Sequence, residues 1–250
     1  MKRKLLLVIG VLIMVLLIGS YILSTPVTPT AFPTEEELVS RMNSAMSRTD
    51  IEIQDILFLD DEHVFVPFIV TDDIRGVSYW SWEKDKWILN EIEDRGEPKL
   101  WRLDPSDYST AFLVWNVQPK EYPVEMAFYL IQDRNARGGY AYNSYTPRIQ
   151  MEETVMVEET SYGILRLPTT WQTVIKEATI GQNLSSSDFF DFYDYHTDSI
   201  YVGHLARNLK GEIDYFDTQN YTSSYQFNTI HLDYVQYLND IDLEIKPKEQ

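Results

Sequence analysis

The spacing of hydrophobic positions takes three successive characters along the first part of the chain. Leu5 to Ile18 is an unbroken apolar run, and Tyr21, Ile22 and Leu23 extend it past Gly19 and Ser20. The span from Leu5 to Leu23 has the length, roughly 17–25 residues, that crosses a hydrocarbon core as a helix. Next comes a fourfold recurrence, Leu38, Met42 and Met46, behind a T-x-x-E pattern at Thr34 and Glu37. That combination predicts a capped amphipathic helix with one buried face. From Ile51 the period drops to two, which predicts strands over 51–58, 63–70, 77–82 and 87–92. Polar breaks (LDDEH, TDDIRG, EKDK) separate them, and connections this short predict an antiparallel meander.

Further strands are predicted over 99–103, 110–117, 124–132, 150–158, 162–167, 199–206 and 212–217. "DPSD" at 104–107 and "RGG" at 137–139 punctuate them. A second helix is predicted over 170–178, after Pro168, with Trp171, Val174, Ile175 and Ala178 on its inner face. "GQNLSSS" at 181–187 reads as a linker or loop. The segment 225–245 fits a helix through Ile230, Tyr234, Val235, Leu238 and Ile241, and fits a strand over 226–232. The expected fold is α+β and β-rich, with antiparallel meander sheets, two or three short helices and one preceding transmembrane helix. Its parts are a signal-anchor at 1–24, a Pro-rich stalk at 25–34 and a β-rich domain at 35–250, with 35–180 and 188–250 as an alternative subdivision.

Charge adds an orientation. Lys2, Arg3 and Lys4 precede the apolar run, and no further charge occurs before Glu35. Basic residues stay on the cytoplasmic side, so the N-terminus is expected inside and the bulk of the chain outside. The run is longer than a signal-peptide core and lacks a small-x-small cleavage site, which favours an uncleaved anchor. Pro26, Pro29 and Pro33 stiffen the stalk, whose eleven residues from Ser24 to Thr34 reach roughly 35 Å at about 3.1 Å each.

Composition narrows the function classes. The chain carries 39 acidic and 21 basic residues, a net −18. Such a surface repels nucleic acid and anionic lipid and attracts cationic partners or divalent ions. There is no cysteine, so disulfides, thiol nucleophiles and cysteine–zinc sites are excluded. No G-x-S-x-G, H-E-x-x-H, Walker loop or G-x-G-x-x-G is present. His63, in the DDEH turn, reads as a solvated turn residue, and His204 and His231 read as satisfied polar residues.

Two clusters are candidates for chemistry. "VSYWSWEKDKWILNEIE" at 77–93 folds as a hairpin if EKDK is the turn. Trp82 then faces Trp87, and Trp80 faces Leu89, all on one face. Val77, Tyr79, Ser81, Ile88, Asn90 and Ile92 share the other. An apolar face of this kind packs as core; exposed, the same rings would bind glycan or peptide, with Trp80, Trp82, Trp87 and Trp101 as ligand-binding candidates. "DFFDFYDYHTD" at 188–198 offers Asp188, Asp191 and Asp194 as weak Ca²⁺ ligands, although a D-x-D-x-D-G order is missing and the spacing also suits a half-buried helix. No cofactor is expected.

The expected function is that of a single-pass, membrane-anchored extracytoplasmic interaction protein. It would be an accessory, sensor or inhibitor of an envelope or secreted protein, possessing no catalytic residues of its own. The alternative is a glycan-binding or glycan-hydrolysing envelope module using surface Trp and carboxylates.

Overall fold

The computed structural model describes residue 14 and residues 28–70, 74–117, 123–138, 143–157, 160–185, 200–208, 210–214 and 223–244. The chain is β-rich and built on antiparallel sheets, with two α-helices among the described residues. No helix among them is long and apolar enough to cross a membrane. Apart from Met14, the expected anchor at 1–24 lies outside the described residues.

Helix α1 (Glu35–Met46) begins where the capping pattern places it. Thr34 Oγ1 accepts from the Glu37 N–H at 3.4 Å, and the Thr34 N–H donates to Glu37 Oε2 at 3.3 Å. Two orphan donors of the first turn are thereby satisfied. Leu38, Met42 and Met46 form its buried face. Ser47 closes it in the left-handed conformation.

Three sheets follow. The first consists of β1 (Ile51–Ile53), β2 (Leu57–Phe58), β3 (His63–Val70), β4 (Ile74–Glu83), β5 (Lys86–Glu93) and β15 (Ser224–Gln226), in the order β1-β3-β4-β5-β15 with β2 also beside β3. The second runs β12 (Tyr162–Arg166), β7 (Ala111–Asn116), β6 (Lys99–Arg102), β16 (His231–Tyr234). The third runs β11 (Ile149–Met156), β8 (Pro123–Gln132), β13 (Ile200–Asn208), β14 (Ile213–Asp214), with β17 (Gln236–Tyr237) parallel to β13. A small hairpin, β9 (Asn135–Gly138) with β10 (Asn143–Thr146), prolongs the β8–β11 ladder. Helix α2 (Thr169–Ser185) follows β12.

Alternation of side chains along the strands stacks these elements into layers. Val64, Val66, Phe68, Trp80, Trp82 and Trp87 of the first sheet meet α1. Its opposite face, Phe65, Val77 and Tyr79, meets Trp101, Phe112 and Val114 of the second sheet. The second sheet turns Leu100, Leu113 and Trp115 the other way, onto Met126, Phe128, Leu130 and Val202 of the third, with Trp171 and Ile175 of α2 closing the side. The far face of the third sheet, including Tyr129, Ile131 and Leu205, is covered by Leu238 and Leu243. Each sheet is thus apolar on both faces, which explains why β3, β4 and β7 are almost wholly buried.

The differences from the sequence expectation have local causes. The strand at 51–58 is split in two, because Asp55 Oδ1 accepts the Ile56 N–H at 2.7 Å and competes with the ladder. The α2 helix continues through Gly181 to Ser185, so the front of "GQNLSSS" is helix; a glycine there costs only about 1 kcal/mol. Between 223 and 244, short strands and a 3₁₀ turn replace the helical alternative, and they serve the first, second and third sheets in turn.

One buried polar knot ties the first two sheets. The Asn116 amide donates to the Phe68 and Gly76 carbonyls at 3.0 and 2.8 Å, and its own oxygen accepts from Ser161 Oγ at 3.2 Å. Gly96 lies so close to the Asn116 carbonyl that a Cβ would sit 1.7 Å from its oxygen. Asn116→Ala leaves two buried carbonyls short of a donor and is expected to cost about 1–3 kcal/mol. Urea denaturation of the variant checks this; an unchanged midpoint would mean the knot contributes nothing.

Candidate functional site

The tryptophan hairpin forms as its spacing predicts. Trp82 pairs with Trp87, Trp80 with Leu89 and Glu83 with Lys86. The two-residue turn, Lys84 and Asp85, has φ of 50° and 63°, the primed geometry that matches strand twist. Asn90 is a bulge: Tyr79 faces Glu91 while Trp80 faces Leu89, leaving Asn90 unopposed. Its side chain donates to Ser81 Oγ and accepts from Asn228. The extra residue reverses the alternation, so Ile92 joins the tryptophan face instead of the Val77–Tyr79 face.

The rings are packed, not presented. Trp80 is 0% exposed and Trp101 is 1% exposed; Trp82 and Trp87 keep 8% and 6%. Trp80 Nε1 donates to Ser78 Oγ at 2.9 Å. Phe32 from the stalk meets Trp87 and Trp80 edge-on at 4.9 and 5.8 Å, and Trp87 Nε1 donates to the Thr30 carbonyl at 3.0 Å. Trp101 lies in the other interlayer, edge-on to Tyr79 at 5.2 Å. The layer opposite each face covers it, so these four rings offer no stacking platform. Asp188, Asp191 and Asp194 lie outside the described residues. Among the described residues, no group of three or more acidic or histidine side chains converges to hold a metal.

The site that the fold does build is a cleft between the second and third sheets. Leu100, Leu130, Ile175, Ile200 and Val202 form apolar walls around a cavity of about 230 Å³. Its polar lining is Arg102 and Tyr108 from the β6 side, Asp233 and Tyr234 from β16, and Tyr201 from β13. Arg102 is the hub. Its Nε lies 2.7 Å from Asp233 Oδ2, an ion-pair contact, and Nη2 donates to Asp233 Oδ1 at 3.1 Å. Nη1 donates to the Pro105 carbonyl at 2.6 Å, and the guanidinium stands 5.2 Å from the Tyr108 ring centre. A planar guanidinium held by a carboxylate on one side and a carbonyl on the other is fixed in place at little further entropic cost. Asp233 keeps 41% of its side chain open to solvent.

Tyr201 also borders a shallow polar depression, where Arg148 contacts Asp133 and donates to the Asp242 carbonyl. These pairs fasten the root of the β9–β10 hairpin to the C-terminal segment.

Two buried titratable groups stand apart from the cleft. Glu93 is pushed up to about 7 by burial, against the attraction of Lys99. It accepts from the Tyr79 hydroxyl at 3.3 Å. His204 is pushed down to about 4 by burial. None of the cleft's polar residues stands out in the sequence. Arg102 and Asp233 are 131 residues apart, and only the pairing of β16 with β6 joins them.

Compared with known proteins, the chain matches no family model, no curated protein and no solved structure.

Proposed function

We propose that this chain is a membrane-anchored extracytoplasmic interaction protein that acts by binding another envelope or secreted protein. The observation that carries the reading is the cleft itself, a side-chain-sized apolar cavity beside the edge of a sheet. Ligand pockets for small molecules are usually larger, about 300–1,000 Å³. The polar groups here are locked in the Arg102–Asp233 pair and so serve recognition better than proton transfer. The acidic surface favours a cationic partner.

The anchor and stalk support a position close to the bilayer. With Thr30 and Phe32 docked on Trp87, only residues 25–29 separate the anchor from the domain. Those five residues span at most roughly 18 Å, about half the reach of a free stalk. Crosslinking in cells, followed by pull-down of the full anchored chain, tests the proposal. A reproducible protein partner is the expected result; recovery of none would sink it.

A further inference from the structure

The first sheet holds a bound segment that is not one of its strands. Residues 28–34, Thr-Pro-Thr-Ala-Phe-Pro-Thr, carry no charge and form neither helix nor strand. Pro29 and Pro33 fix their own backbone and hold Thr28 and Phe32 before them extended. Thr34 follows at φ −65° and ψ 159°, in the polyproline II region. The segment is thus pre-set to an extended form at little entropic cost.

Its seat is aromatic on three sides. The Phe32 ring stands edge-on to Trp87, Phe58 and Trp80 at 4.9, 5.7 and 5.8 Å. Two residues earlier, the Thr30 carbonyl accepts from Trp87 Nε1 at 3.0 Å. Aromatic-lined grooves recognise proline-bearing segments in this manner, exploiting their low conformational entropy. The stalk leaves part of the seat open. Phe58 keeps 52% of its surface exposed, although it lies 5.7 Å from Phe32 and 6.5 Å from Trp87. Resting on the binding role above, but on a surface distinct from the cleft, we propose that this seat takes an extended, uncharged segment of the partner protein that carries an aromatic residue followed by proline, and that the stalk is its resident occupant. The chemistry of the partner segment is that of the segment now seated. A ring fills the place between Trp80, Trp87 and Phe58, a carbonyl two residues before it meets Trp87 Nε1, and a proline after it keeps the chain extended. The incoming segment competes with the Phe32 ring and the Thr30 carbonyl, and gains by covering Phe58.

The test uses the full chain in detergent micelles and a fluorescein-labelled peptide, Thr-Pro-Thr-Ala-Phe-Pro-Thr, followed by fluorescence anisotropy. Phe32→Ala removes the resident ring, and saturable binding to that variant is expected. The parent should bind about tenfold more weakly, because its own stalk occupies the seat. Alanine in place of the peptide's phenylalanine should abolish binding. Trp87→Phe, made in the Phe32→Ala chain, keeps a ring but removes the indole N–H and should weaken binding about fivefold. No binding, binding equal in parent and Phe32→Ala, or binding unmoved by the peptide's alanine or by Trp87→Phe would overturn the proposal. If Phe32→Ala fails to fold, a peptide with benzoylphenylalanine at the ring position is photocrosslinked to the parent. Adducts are expected on β2 and the tryptophan hairpin; adducts only elsewhere, or none, would overturn the proposal. A dimer of the parent that Phe32→Ala dissolves would place a second copy's stalk in the seat and overturn it too. In cells, crosslinking to the partner should rise in Phe32→Ala. Equal capture by both chains would leave the binding role standing and move it off this seat; capture of no partner by either would remove the role itself, and this proposal with it.

Discussion

Trp80→Ala will lower the unfolding free energy by about 3–5 kcal/mol. Trp80 has no exposed surface, and it sits between α1 and the first sheet with Val64, Met42 and Phe32 in the same cluster. Truncation removes the transfer free energy of the ring and leaves a cavity that the first sheet and α1 must collapse to fill. It also strips Ser78 Oγ of the indole N–H that it accepts. Trp82→Ala should behave similarly, because Trp82 packs on Trp87 at 5.6 Å in the same layer. The comparison is a change on the outer side of α1, Glu36→Ala, which should stay within about 0.5 kcal/mol. Equilibrium denaturation in urea reads all three. A loss for Trp80→Ala no larger than that of Glu36→Ala would contradict the layered packing and return the rings to the surface.

The second large effect is a stability profile with two opposing limbs. Glu93 holds its proton up to about pH 7 in the folded chain, against an ordinary value of 4.5. Between those values the unfolded chain has lost the proton and the folded chain has kept it, so Glu93 makes stability fall as pH rises from 4.5 to 7. His204 works the other way. It stays neutral down to about pH 4, against an ordinary 6.5. Between those values the unfolded chain gains a proton that the folded chain refuses, so stability falls as pH drops from 6.5 to 4. Each group accounts for about 3 kcal/mol over its full window at roughly 1.4 kcal/mol per pH unit. From pH 4.5 to 6.5 the two slopes cancel, so together they leave a plateau.

Glu93→Gln removes one limb while keeping an acceptor for the Tyr79 hydroxyl. The variant should equal the parent near pH 4 and exceed it by up to about 3 kcal/mol at pH 7.5. Its own stability should climb with pH from 4 to 6.5, because His204 is then unopposed. Urea midpoints at half-unit pH steps check this. Exposed Asp104 and Asp107, held low by hydrogen bonds from Ser106 and from the Ser109 backbone, contribute equally to both proteins and drop out of the difference. A pH-independent difference would mean that Glu93 does not retain its proton in the fold.

Much of the secondary structure was legible because its causes are local. The Thr34–Glu37 box and the 38/42/46 spacing start and face α1 without help from the rest of the chain. Alternation from Ile51 onward, with polar breaks, marks β3 to its observed ends and sets the Trp82–Trp87 register across the Lys84–Asp85 turn. Where the reading stopped, something distant intervened. The bulge at Asn90 is stabilised by Asn228 and by Phe227, whose N–H donates to the Asn90 carbonyl at 2.7 Å, more than 130 residues away. That contact, and no local propensity, decides which face Ile92 takes.

What the sequence by itself determined is the kind of element at each place: a basic-flanked apolar run, a capped helix, and a series of strands set off by polar breaks. These follow from periodicity and capping, which act over a few residues. Only the tertiary structure decided which strands lie side by side. The three short strands within 224–237 return to β5, β6 and β13 respectively, and with them Asp233 reaches Arg102 and the cleft acquires its polar mouth. Each of those strands is too short to carry a pattern of its own. It forms where a finished sheet offers an edge to pair with, and that edge does not exist until the rest of the chain has folded.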